Sequence, residues 1–176
     1  MRPPRLPEEI LRRVIRLSCL NGWSVVIFAG VCAIGSLVFR DFFGALIGLL
    51  VTLGGAMEVR GHLMLKRNNI GGMRWLVASQ LAVLAVIWAY AISRLLSYDD
   101  RMVREVITPK MLMSLNELGL TLADILPLVR RIVDLLYGSV LATTLIYQGG
   151  MALFYRHCTP AVNTALNPAR RAGQSG

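Results

Sequence analysis

The chain has 176 residues, 55% of them hydrophobic and 16% charged, with a net charge of +9, whereas a soluble domain carries about a quarter charged residues. Its apolar residues are bunched into long runs, which points away from a soluble globular domain and toward a membrane protein. The positive surplus flanks those runs instead of forming a basic stripe with interleaved aromatics, which speaks against a nucleic-acid partner; Cys19, Cys32 and Cys158 show neither CxxC nor metal-ligand spacing, which speaks against a zinc or disulfide scaffold.

In chain order, residues 1–20 hold no continuous apolar segment of the kind a cleaved leader needs, because Arg12, Arg13 and Arg16 interrupt it. Pro7 suits a first helical position and Glu8 and Glu9 suit a first turn. Ile10, Leu11, Val14 and Leu17 then line one face opposite the arginines, predicting a short helix lying in the membrane interface. A first span is predicted over 22–39, closed by a tight Arg40–Asp41 turn. A second follows over 42–64, with Glu58, Arg60 and His62 near its inner end. A third covers 75–92 and a fourth 135–155. Each approaches the ~20 residues that cross a bilayer core, and helices are expected because unpaired backbone groups are costly in lipid.

Residues 97–134 are too polar to span and too apolar to float free. Pro109 opens a predicted helix with an apolar side of Met111, Leu112, Leu115 and Leu118, and Gly119 ends it. Thr121 and Asp124 have the spacing of a capping box. They start an amphipathic run of Leu122, Ile125, Val129, Ile132 and Leu136, in which Pro127 predicts a kink or a late start. Residues 159–176 read as a tail without fixed structure. The expectation is an all-α polytopic membrane protein of four transmembrane helices in one domain, 1–158, with an N-terminal interfacial helix and an amphipathic segment between spans three and four.

Charge orients this arrangement. The N-terminus, the turn from Glu58 to Arg74 and the C-terminus lie on one side and carry the whole surplus of +9, while the other side is balanced. The positive-inside rule then places both termini in the cytoplasm of a bacterial-type inner membrane.

Small residues recur on each span. Span one has Gly22, Ala29, Ala33 and Ser36; span two has Gly44, Gly48 and Gly55; span three has Ala78, Ala82, Ala85 and Ala89; span four has Gly138, Ala142, Gly149 and Ala152. Such stripes let helices pack closely in lipid. Three polar residues, Glu58, Gln80 and Gln148, fall at similar depth. Glu58 and His62 extend the glycine stripe, Gln80 lies inside span three, and Gln148 shares a face of span four with Thr144 and Tyr155. Ionisable residues at membrane depth usually face a bundle interior or water, so Glu58, His62, Gln80 and Gln148 form a candidate intramembrane polar or ion site. Gln80 stands opposite the alanine stripe, so it reaches Glu58 only if both faces of its helix are packed. Arg60, Lys66, Arg67 and Arg74 are candidate contacts for anionic lipid head groups.

No HExxH, GxSxG, P-loop or paired-carboxylate pattern occurs, so neither an enzyme nor a cofactor or metal is expected. The leading expectation is a small membrane subunit that associates with itself or with another membrane protein. The alternative is an ion- or proton-coupled transporter or channel protomer built on Glu58; the lack of an internal repeat counts against it.

Overall fold

A computed structural model describes residues 6–97, 119 and 121–167, and all of the regular structure among them is helical. Its helices are α1 (Pro7–Val38), α2 (Phe42–Lys66), α3 (Gly71–Leu96), α4 (Leu122–Thr144) and α5 (Gly150–Leu166), with a π-helical turn at Leu145–Gly149 between the last two. α1, α2 and α3 are each long and apolar enough to cross a membrane. The chain clusters into two compact units, Met1–Ile87 with Thr144–Gly176, and Trp88–Thr143.

α1 corrects the expected interfacial helix. Pro7 stands in its first turn with Glu8 and Glu9, but no break separates that segment from the first span. One helix of 32 residues runs through both. Val14, Ser18, Asn21 and Gly22 are buried, so the face that reads as surface-lying packs against other helices instead.

α1 and α2 form a tight antiparallel hairpin. Arg40 takes a left-handed conformation, φ 58°, and the Asp41 carboxylate caps α2 by accepting from the Gly44 amide at 3.0 Å. This turn sets the register: residues roughly equidistant from it meet. A Cβ on Gly48 would stand 2.9 Å from the Ala33 Cβ and 3.0 Å from its backbone, and one on Gly55 would stand 3.0 Å from the Val26 amide nitrogen. Gly22 comes equally close to Val59 on α2. Gly44 plays a different part from the one its stripe suggests. A Cβ there would collide with the Asp41 carboxylate, so its missing side chain serves the cap.

The α2–α3 turn repeats the device. Asn68 adopts φ 56°, a conformation Asn tolerates better than most residues, and the Asn69 side chain accepts from the Gly71 amide at 2.8 Å. Residues equidistant from this turn also meet, including two glycines outside the expected stripe. A Cβ on Gly61 would lie 2.9 Å from the Gly72 carbonyl oxygen, and one on Gly54 would overlap the Val83 side chain. The alanine stripe faces away from this contact. Ala78, Ala85 and Ala89 are exposed and Ala82 half-buried, so Ala82 and Ala85 do not hold helices of this chain together; Met73, Leu76, Ser79, Gln80 and Val83 form the buried face.

Residues 135–155 are divided among the end of α4, the π-helical turn and the start of α5. α5 continues past Pro160 to Leu166, so the segment from 159 begins as helix and not as tail. Gly138 meets nothing within 4 Å and Gly149 only Leu145 of its own turn, so neither is a packing glycine among the described residues. Near the α2–α3 turn, Val14, Leu65, Met73, Leu76, Tyr155, Cys158 and Val162 make one apolar core drawn from α1, α2, α3 and α5.

In the second unit, the Trp88 indole N–H donates to the Leu141 carbonyl at 3.3 Å, and Tyr90 meets Tyr137 edge to face. α4 starts at Leu122 and carries Pro127 inside it. The Asp124 carboxylate accepts from the Thr121 amide at 2.9 Å and from its hydroxyl at 2.5 Å, which is the back-reaching half of a capping box. These bonds hold the Asp124 carboxyl below its ordinary value. Gly119 takes φ 71°, in keeping with a break there; the helix expected at 110–118 lies outside the described residues.

Candidate functional site

Glu58 is the centre of a buried polar cluster in the first unit. It is 1% exposed and both its oxygens are engaged. The Asn21 amide donates to Oε2 at 2.7 Å and the Tyr155 hydroxyl donates to Oε1 at 2.7 Å. The Gln80 side chain hydrogen-bonds the same carboxyl. Asn21 is itself oriented: the Tyr147 hydroxyl donates to its Oδ1 at 2.7 Å, which turns the amide N–H toward the carboxylate. The partners thus come from α1, α3, the π-helical turn and α5.

Register explains the convergence. Asn21 and Glu58 lie nearly equidistant from the Arg40–Asp41 turn, and Glu58 and Gln80 from the Asn68–Asn69 turn. The π-helical turn does the rest. Tyr147 and Tyr155 are eight residues apart, which in a regular α-helix leaves them about 80° out of line. A π turn absorbs about one extra residue, bringing the spacing close to two whole turns and both hydroxyls to one side.

All the groups that bond Glu58 among the described residues are neutral. Among the described residues no basic side chain pairs with it; Arg60, two residues on, places its guanidinium 4.4 Å from the centre of the Trp75 ring. A buried carboxylate with only neutral donors is expensive to keep ionised, and a proton or a cation relieves that expense. Two more buried oxygens, Gln80 Oε1 and Gln148 Oε1, have no partner among the described residues.

The other predicted residues fall around this centre in different ways. Glu58 and Gln80 are brought together. His62 is buried but faces α1 one turn away: its Nδ1 lies 3.0 Å from the Ile15 carbonyl and 3.3 Å from the Ser18 hydroxyl. The carbonyl can only accept, so Nδ1 carries the proton and donates. Gln148 is buried in the π-helical turn and is not among the groups bonding Glu58. Lys66, Arg67 and Arg74 are exposed at the α2–α3 turn, while Arg60 lies on Trp75. Among the described residues no three His, Cys, Asp or Glu side chains gather as metal ligands.

Asn21 and Tyr147 were not legible as site residues. The signal for Asn21 was present: Ser18 and Asn21, three apart, pair with His62 and Glu58, four apart, once the hairpin turn supplies the register. Tyr147 gave no such signal, because its position depends on the π turn. Comparison of the chain with protein-family models, with curated proteins and with solved structures finds no match.

Proposed function

We propose that this chain is a non-enzymatic membrane protein that takes up and releases a proton or a small cation at Glu58, as the protomer of an ion-coupled transporter or channel. Four spans are counted in this reading, the fourth over 135–155, made of the end of α4, the π-helical turn and the start of α5, with both termini in the cytoplasm of an inner membrane. The observation that carries it is the fully buried Glu58 carboxyl, bonded by neutral donors from other helical segments and, among the described residues, by no basic group. Ionisable groups at membrane depth mark proton relays and ion pathways, and π turns recur at functional sites.

The test uses the full chain in proteoliposomes. Infrared difference spectra between two pH values, or with and without sodium, are expected to contain a carboxyl band that Glu58→Gln lacks. Wild type should also dissipate an imposed proton or sodium gradient faster than Glu58→Gln. Spectra without a Glu58 band, together with equal gradient decay in the two proteins, would reduce the cluster to a clasp between helices.

A second reading, a self-associating or complex-forming membrane subunit, is supported by the outward alanine stripe of α3. Small residues facing lipid are a surface on which another helix packs closely. Oxidation of Ala85→Cys, in a background without the native thiols, is expected to give a covalent dimer, and Leu84→Cys, the preceding residue and about 100° round the helix from the stripe, much less. Equal cross-linking of the two would remove the stripe as an interface.

A further inference from the structure

Beside the inner end of α3 lies a groove of about 830 Å³ whose other wall is α5. Its lining changes character along its length. Arg74 on α3 and Arg156 and Asn163 on α5 supply its polar side chains, and Val77, Ala78 and Leu81 continue from Arg74 along α3 toward the middle of the span. From Arg74 to Leu81 this gradient covers about 10 Å at the rise of an α-helix. Both arginines are exposed, and none of the lining residues is acidic. The groove thus offers one guanidinium group from each wall, Arg74 near the end of the spans where the sequence concentrates its positive charge and Arg156 across from it on α5, and an apolar strip of α3 leading from Arg74 toward the depth of the bilayer.

We infer that this groove is a binding site for one anionic phospholipid, its phosphate held between Arg74 and Arg156 and an acyl chain lying along Val77, Ala78 and Leu81. The two kinds of lining, basic and apolar, select the occupant. Arginine offers paired N–H donors that match phosphate oxygens two at a time, and clusters of basic residues at the membrane surface favour anionic head groups. A soluble anion would have no use for the apolar half. A hydrocarbon without a head group would leave the arginines without a counter-charge. The site differs from the dispersed basic turn that the sequence suggests: of Arg60, Lys66, Arg67 and Arg74, only Arg74 lines the groove, and its partner, Arg156, comes from the far end of the chain. The inference is independent of the reading of Glu58.

The test is native mass spectrometry of the full-length protein in detergent, titrated with phosphatidylglycerol or with phosphatidylcholine of the same chains. Wild type is expected to retain one phosphatidylglycerol in preference to phosphatidylcholine. Arg74→Gln and Arg156→Gln should each weaken that preference about fivefold, from the contribution of one basic residue near a membrane surface, and the double variant should abolish it. Lys66→Gln with Arg67→Gln removes the same charge outside the groove and should leave the preference within about twofold of wild type, as screened, dispersed charges contribute little. Ala78→Phe keeps both arginines but fills the apolar half, and should also release the lipid. Only variants that stay monodisperse and match the helicity of wild type by circular dichroism are compared, and Arg74→Lys with Arg156→Lys stands in for any glutamine variant that does not; it should weaken the preference and not erase it. Equal losses in the Lys66/Arg67 variant, retention of lipid by Ala78→Phe, or displacement of the lipid by inorganic phosphate in solution would each overturn the inference.

Discussion

Glu58 shows how one residue ties distant segments together. Its carboxylate accepts from Asn21 and from Tyr155, so the two ends of the chain are joined through a single side chain. Tyr155 is fully buried, its hydroxyl shielded from bulk solvent. Tyr155→Phe should lower stability by about 1–3 kcal/mol, the range for losing a buried hydrogen bond to a charged group. Glu58→Gln should also destabilise, because an amide offers one acceptor oxygen where the carboxylate offers two, leaving Asn21 or Tyr155 facing an N–H. Combined, the two changes should cost less than their sum, since they share one bond. Unfolding of the three variants in mixed micelles checks this; strict additivity would mean that the Tyr155–Glu58 bond contributes nothing.

At the scale of the helix, glycine matters where a neighbouring backbone stands in the place of its side chain. Gly48 meets the backbone of Ala33, whereas Gly138 meets nothing within 4 Å. Gly48→Ala should therefore force α1 and α2 apart and destabilise by about 1–3 kcal/mol, the usual range for overpacking. Gly138→Ala should be neutral or stabilise by up to about 1 kcal/mol through its better helix propensity. Thermal unfolding in detergent separates the two, and equal midpoint shifts would deny Gly48 its place in the interface. The same comparison explains the uneven fate of the small-residue stripes. Helical periodicity marks a face, but nothing in a stripe says whether that face meets a helix of the same chain, lipid or a second molecule. Gly48 and Gly55 face α1, while Ala78 and Ala85 face outward.

For the molecule as a whole, the open number is that of the crossings. α1, α2 and α3 are each long and apolar enough to span. A four-span arrangement further requires the run from α4 through α5 to cross, bringing the described C-terminal end back to the side of the α2–α3 turn. Cysteines placed at Ala123 and at Asn167, both exposed, in a background without native thiols should then label from opposite sides of sealed vesicles. Cysteine at Asn69 should label with the one at Asn167. Labelling of Ala123→Cys and Asn167→Cys from the same side would leave three crossings.

The helical class, the three apolar helices, the Arg40–Asp41 turn and a basic turn between spans two and three were legible in the residues themselves. Apolar runs of membrane length, bounded by charge and by residues that tolerate left-handed backbone, are properties of short stretches of chain. Part of the register was legible too, since depth counted along the spans puts Glu58 level with Gln80; the pairing of Glu58 with Asn21 was not picked out, although a tight turn dictates which residues of two antiparallel helices stand opposite each other. Three features were decided only by the folded chain. The burial of Val14 and Ser18 on α1 depends on α2 and α5 covering a face that, seen alone, suits the membrane surface. The outward turn of the alanine stripe depends on Gly61 and Gly72 drawing α2 onto the opposite face of α3. The meeting of Tyr147 and Tyr155 with Asn21 and Glu58 depends on a π turn, which has no local signature because it is paid for by the tertiary bonds it allows.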